Sequence, residues 1–258
     1  MFEKACRGIF PAVNGRKIRR VYDRLLEHYG PQGWWPTTEP GGITPRYFPD
    51  RPGRRLSATE QWETVVGSFL TQNTSWSNAA LALENLAQYG CRTPRHIRNL
   101  PNDELAKLIR PARYFNQKAR HLQELARYIE SEYDDDLTAM LDRPHDELRA
   151  ELLTLRGIGP ETADSVLLYA AGHPAFVVDA FTRRVCARLG WVAETVSYAQ
   201  LQSLFVSCLP ADAELFNEYH ALIVRHAGER CHPEPECTGC CLRRMCGHPR
   251  VAATADHQ

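Results

Sequence analysis

The stretch from Leu155 to Asp179 constrains the fold more than any other part of the chain. It reads Leu-Arg-Gly-Ile-Gly-Pro-Glu-Thr-Ala, then an apolar run, then Phe-Val-Val-Asp. Gly157 and Gly159 suit a tight turn of positive φ and let a ligand approach the bare main chain. Pro160 suits the first position of a helix, where a missing N–H costs nothing. From Thr162 to Tyr169 the residues are small and apolar, so this helix is expected to pack against another rather than face water. Such a turn presents main-chain amides and a helix N-terminus, which together bind an anionic oxygen without a cationic side chain. A plain helix-turn-helix corner, with glycines for close packing, carries the same signature. Asp179 reads as a carboxylate held near the turn or as the N-cap of a helix beginning at Ala180, and one residue can serve both purposes.

A second concentration of chemistry lies near the C-terminus, where Cys231, Cys237, Cys240, Cys241 and Cys246 fall within sixteen residues. Cys6, Cys91, Cys186 and Cys208 are scattered and mostly lie beside apolar residues, the pattern of buried free thiols. The N-terminal residues do not read as a secretion signal. A reducing compartment is therefore expected, in which thiolates at short spacing mean metal rather than disulfides. Zinc and a [4Fe-4S] cluster both accept four thiolates, so spacing leaves both open, and it leaves Cys240 and Cys241 as rivals.

The 258 residues suffice for one large core or two small domains. No apolar run is long enough to cross a membrane. The chain is thus expected to be cytoplasmic, nucleoid-associated in a prokaryote, monomeric and without a membrane partner. Its 31 basic and 31 acidic residues cancel, which argues against a strong nonspecific nucleic-acid binder. Local patches still stand out: Arg16, Lys17, Arg19 and Arg20; Arg46, Arg51, Arg54 and Arg55; Arg110, Arg113, Lys118 and Arg120.

Periodicity predicts helix nearly throughout. Ile18, Val21, Tyr22, Leu25 and Leu26 mark one apolar face, and Trp62, Val65, Val66, Phe69 and Leu70 mark another. A long helix follows Phe115, with Leu122, Leu125, Ala126 and Ile129 on one side. Ser57, Asn102 and Ser197 are candidate N-caps. Only Phe176 to Val178 has strand character. The stretch 37–55, rich in proline, glycine and arginine, is expected to be a surface loop, and the residues after Arg250 to be frayed.

Taken together, Leu155 to Ala163 and Asp179 resemble the helix-hairpin-helix and catalytic aspartate of the endonuclease III superfamily of DNA glycosylases. That resemblance implies an all-α, two-domain fold with a [4Fe-4S] cluster loop. Residues 1–55 would pack with a C-terminal domain, 174–258, that carries the cysteine loop 231–246. Residues 56–173 would form a six-helix domain containing the hairpin at 152–169. DNA would cross the cleft between the domains.

The same resemblance assigns roles. Family members that cleave the strand place a lysine two residues after the second hairpin glycine, and it attacks the sugar as a Schiff-base nucleophile. Here that residue is Glu161, and a carboxylate forms no imine. Base removal by water alone is therefore expected, with Asp179 catalytic and the amides of Gly157, Ile158 and Gly159 on a DNA phosphate. Glu161 also suits a helix first turn electrostatically. Chemistry on a base requires its extrusion from the duplex, and Leu70-Thr71-Gln72-Asn73-Thr74 resembles the segment that fills the gap, with Gln72 as wedge. Lys118, Arg243 and Arg244 are further candidates for DNA contact.

Cys231, Cys237, Cys240 and Cys246 leave gaps of five, two and five residues, against six, two and five in the family's cluster loop. Tyr-Gly-Pro-Gln-Gly-Trp-Trp-Pro, Leu-Thr-Gln-Asn-Thr and Tyr-Phe-Asn-Gln-Lys-Ala resemble the 3-methyladenine DNA glycosylase III branch. Trp34, Trp35 and Pro36 would then line the base pocket, where aromatic faces favour a cationic alkylated purine. The segment 37–55 is an insertion relative to that branch. The implied partner is double-stranded DNA with a damaged base. A glycosylase for uracil, mismatched thymine or oxidised pyrimidines, and a noncatalytic DNA-binding iron-sulfur protein, remain as alternatives.

Overall fold

A computed structural model describes residues 13–248. Within these residues lie twelve α-helices and one π-helical turn, and the sole extended pairing is an isolated antiparallel bridge between Thr37 and Arg46. The all-α expectation holds. The chain divides into two compact units, residues 33–173 and residues 1–32 with 174–258.

The unit 33–173 is built around α2 (Ala58–Leu70), whose Trp62, Val65, Val66, Phe69 and Leu70 are all buried. Ser57 starts this helix with a reciprocal capping box: its hydroxyl accepts from the Glu60 amide, and the Glu60 carboxylate accepts from the Ser57 amide. Around α2 stand α3 (Trp76–Tyr89), α4 (Pro94–Asn99), α5 (Asn102–Leu108), α6 (Phe115–Tyr133), α7 (Leu137–Leu141), α8 (His145–Leu152) and α9 (Pro160–Ser165). Helix α9 runs into a π-helical turn, Val166–Ala170, which is buried throughout and packs on α2. Helix α6 lays its stripe Lys118, Leu122, Leu125 and Ile129 against the core.

The other unit contains α1 (Gly15–Tyr29), α10 (Ala180–Arg188), α11 (Tyr198–Cys208) and α12 (Ala213–Glu229). Its centre is aromatic. Phe176 stacks on Phe205 at 3.8 Å between ring centroids, with Phe216 and Tyr219 edge-on, and the Tyr219 hydroxyl donates to the Ile18 carbonyl at 2.8 Å. Ser197 caps α11 with a second capping box.

Several expectations are corrected here. Residues 33–55 belong with α2, so the first boundary falls after Gln32 rather than after Arg55. The reason is polar: Thr37 Oγ1 and Arg54 Nη1 donate to the Glu60 carboxylate at 2.9 and 2.7 Å, and Thr38 donates to Glu63. These bonds and the Thr37–Arg46 bridge make the segment 37–55 an ordered element. Phe176 to Val178, too short to build a sheet, is buried and pairs with no strand among the described residues, so that reading needs no correction. It threads between helices, and Gln202 Nε2 donates to the Phe176 carbonyl at 2.9 Å. Asn102 is not a cap; Pro101 holds that position, and the Asn102 amide donates to Gln123 Oε1. Cys208 is not a free thiol but disulfide-bonded. Cys6 and the residues after Arg250 lie outside the described residues.

Candidate active site

The corner between α8 and α9 is held from within. Gly157 has φ +82°, and a Cβ there would stand 2.3 Å from His121 Nδ1, so conformation and space both demand glycine. Gly159 departs from the expectation. Its φ is −96° with extended ψ, it occupies the N-cap of α9 with no capping side chain, and a Cβ on it would meet nothing within 4 Å. Its lack of a side chain therefore serves nothing inside the protein and leaves the main chain open to an incoming group. Pro160 holds the first helical position as expected. The Ile158 side chain is buried, so only its backbone can meet DNA. Arg149 fixes α8 to α9 through a two-point pair with the fully buried Asp164, at 2.7 and 3.2 Å.

Gln72 and Lys118 are tied into this corner. Gln72 Nε2 donates to the Gly157 carbonyl at 2.8 Å and to Thr162 Oγ1 at 2.9 Å. Lys118 is no surface cation. It is 3% exposed, and its ammonium donates to the Leu70 and Gln72 carbonyls at 2.8 Å each, closing the C-terminus of α2. Burial lowers its pKa to about 8. The expected phosphate contact by Lys118 is thus corrected: α6 places it on the buried stripe. Glu161 is exposed in the first turn of α9.

In the other unit, Asp179 is the N-cap of α10, its Oδ1 accepting from the Thr182 amide at 2.7 Å. Its Oδ2 lies 3.7 Å from Nε2 of His220, a residue of α12 that is 4% exposed. Burial pushes the Asp179 carboxyl up, yet His220 and Thr182 outweigh it and hold the group below the ordinary carboxylate value. The nearby Cys186 thiol is raised by burial and by the Asp179 charge.

Trp34 and Trp35 stand in an aromatic cluster with Tyr47, Trp76 and Tyr169. Trp35 lies 4.8 Å from Tyr169 and 5.5 Å from Trp76, and Tyr47 lies 6.4 Å from both Trp34 and Trp76. Trp35 and Pro36 are buried and Trp34 is half-buried. Gly67 of α2 admits the Trp35 indole, since a Cβ there would stand 3.2 Å from its Nε1. Tyr47, from the insertion, is 43% exposed. Tyr47, Trp76, Tyr169 and His220 had no place in the sequence-based site. Each sits in a stretch whose local pattern gives it no distinction.

The cysteine loop is gripped by α10. Arg188 donates to the carbonyls of Cys231, His232 and Pro233 and to Cys231 Sγ, and Arg184 donates to the carbonyls of Cys231 and Ala227. A small hollow is lined by Cys231, Cys237, Cys240 and Cys246, but not by Cys241. A hydrogen bond from Cys241, opposed by burial and aided by His226, lowers the Cys240 thiol. Four thiols on one hollow fit the donor set of an iron-sulfur cluster, although no three donors among the described residues already stand at ligand geometry. Arg243 and Arg244 are exposed on this loop.

Residues 66–210 match the family model described as HhH-GPD superfamily base excision DNA repair protein. A Methanocaldococcus jannaschii protein with the provisional name of DNA repair glycosylase is 39% identical over 230 residues, 89% of this chain and 95% of its own length. An endonuclease III solved in a non-covalent complex with DNA superposes with a TM-score of 0.72 at 22% identity, covering 94% of this chain and 99% of that one. The Helicobacter pylori 3-methyladenine DNA glycosylase bound to 1,N6-ethenoadenine gives 0.62 at 23% identity, covering 84% and 98%. With its glycine corner, ordered α-helical units and match across more than half its length, this chain belongs to the HhH-GPD superfamily of base excision DNA repair proteins, as a DNA glycosylase of the endonuclease III family that acts on DNA.

Proposed function

We propose that this chain is a monofunctional glycosylase that hydrolyses the N-glycosidic bond of a flipped alkylated purine, such as 3-methyladenine, in double-stranded DNA. One observation supports the absence of lyase chemistry: among the described residues no amine is presented at the hairpin. Glu161 fills the position of the nucleophilic lysine, while the Lys118 ammonium is turned onto two carbonyls of the α2 terminus. Without an amine there is no Schiff base and no route to strand cleavage through one.

The amides of Gly157, Ile158 and Gly159 would take a phosphate oxygen of the damaged strand. Arg243 and Arg244 would add contacts to the backbone, and Gln72 would fill the gap left by the base once it exchanges its bonds to Gly157 and Thr162 for the duplex. Asp179, held ionised, opposes the positive charge that develops on the sugar as the C1′–N bond breaks with its electron pair leaving on the base. Water then adds to C1′ and gives up a proton, leaving an abasic site. An N-alkylated purine departs readily because it already carries positive charge, and the faces of Trp34, Trp35 and the aromatic residues around them favour a cation. Cys231, Cys237, Cys240 and Cys246 would hold a [4Fe-4S] cluster, which supplies a rigid fastening for the loop that presents Arg243 and Arg244.

A panel of duplexes carrying 3-methyladenine, 1,N6-ethenoadenine, uracil, mismatched thymine or an oxidised pyrimidine, cut by heat and alkali after incubation, tests the reading. Alkylated purine release is expected, with no cleavage before alkali, and Asp179→Asn should abolish it while leaving duplex affinity within about twofold. A borohydride-trapped covalent adduct, or release confined to pyrimidines, overturns it.

A further inference from the structure

The two carboxylate oxygens of Asp179 have different work. Oδ1 is committed to the Thr182 amide as the cap of α10, which leaves Oδ2 as the oxygen that can face a reacting sugar. Behind Oδ2, at 3.7 Å, stands His220 Nε2 from α12, and the side chains are only 5% and 16% exposed for His220 and Asp179 respectively. A carboxylate so enclosed needs a compensating partner to remain charged, because burial alone favours the neutral acid. Among the described residues Cys186 of α10 also feels the Asp179 charge, and burial raises its thiol, so it stays neutral there.

We infer that His220 is a positioning residue for base release: its imidazole holds Asp179 Oδ2 as the ionised oxygen available to the sugar. This rests on the catalytic reading of Asp179. His220 touches neither base nor phosphate in that scheme; it acts through the carboxylate. The arrangement divides the aspartate into a structural oxygen, bonded to the Thr182 amide of α10, and a working oxygen, faced by the His220 imidazole of α12 across 3.7 Å.

Two substitutions separate positioning from packing. His220→Leu keeps the volume and removes the donor, while His220→Gln keeps an N–H of comparable reach. In single-turnover release of 3-methyladenine, the Leu variant should be slower by about tenfold or more, with duplex affinity unchanged, and the acid limb of its rate–pH profile should move upward by about one unit. The Gln variant should stay within about threefold of wild type. Equal losses in both variants, or a Leu variant with wild-type rate and limb, overturns the inference. Carboxyl 13C titration of the intact protein, with the Asp179 resonance assigned through Asp179→Asn, gives a readout independent of how the Leu variant folds. A midpoint below the ordinary 3.8 is expected, and one at or above it overturns the inference. If Asp179→Asn itself releases base normally, the catalytic reading falls. If only the His220 effects are missing, that reading stands and the positioning role falls.

Discussion

The glycine corner and the cysteine loop are both short, irregular segments that a repair glycosylase needs held still, and they are held in opposite ways. The corner is fixed from inside by side chains that reach its backbone: Gln72 on Gly157 and Thr162, Lys118 on the carbonyl of Gln72, and Arg149 on Asp164. Buried polar groups so fully matched make a rigid platform without any added group. The loop 231–246 is gripped at its start by Arg184 and Arg188 and at its end by the Arg188 carbonyl, which accepts from Cys246 Sγ and the Gly247 amide, while four of its thiols are left lining a hollow. One segment therefore spends its polar groups on itself, and the other keeps a set of thiols uncommitted to its own fold.

The sharpest break in that contrast comes from the loop. Cys240→Ala should abolish iron binding and the absorption near 400 nm, whereas Cys241→Ala should retain most of both, because only Cys240 lines the hollow. Iron content and absorbance of the purified variants decide it, and the opposite order would exchange the two residues. In the corner, Gly157→Ala should cost about 2 kcal/mol in denaturant unfolding, from positive φ and the crowding of His121. Gly159→Ala should cost under about 1 kcal/mol yet weaken duplex binding by about tenfold, as the proposed phosphate contact at its open side requires. Equal stabilities for the two variants would dissolve the distinction between an inward and an outward glycine.

The smallest effect sharpens the account of Lys118. Its folded pKa, about 8, lies below the ordinary 10.5, so between those values the unfolded chain binds a proton that the folded chain has released. Unfolding free energy should then rise with pH across that window, by at most about 1.4 kcal/mol per pH unit. Lys118→Met should remove this component, read as the difference between wild-type and variant unfolding at pH 7.5, 8.5 and 9.5. A parallel pair of slopes would mean that the two carbonyls keep the ammonium charged throughout.

Much of the corner was legible because its demands are local. Pro160 as first helical residue, the apolar run to Tyr169 and Asp179 as a cap each follow from neighbours in sequence. Gly159 was misread because a Gly-x-Gly pair does not say which glycine takes positive φ. Lys118 was misread for a different reason: it was grouped with basic neighbours, although its spacing from Leu122, Leu125 and Ile129 already placed it on the buried face of α6. His220 could not be found, since nothing near it in sequence points to Asp179. The same limit left open whether 37–55 is an ordered or a mobile loop, since its pairing of Arg54 with Glu60 is invisible to composition.

That ordered insertion carries a practical consequence. Arg46, Arg54 and Arg55 are three cutting sites for trypsin in a segment that composition alone leaves open to being slack, Arg51 being shielded by Pro52. Yet a protease must draw out several residues of extended chain before it can cut, and here Arg46 is bridged to Thr37, Arg54 is clamped on Glu60, and Arg92 reaches over to the Gly42 carbonyl. The segment behaves less like a flap than like a riveted plate, and digestion has little play to exploit until the surrounding helices themselves give way.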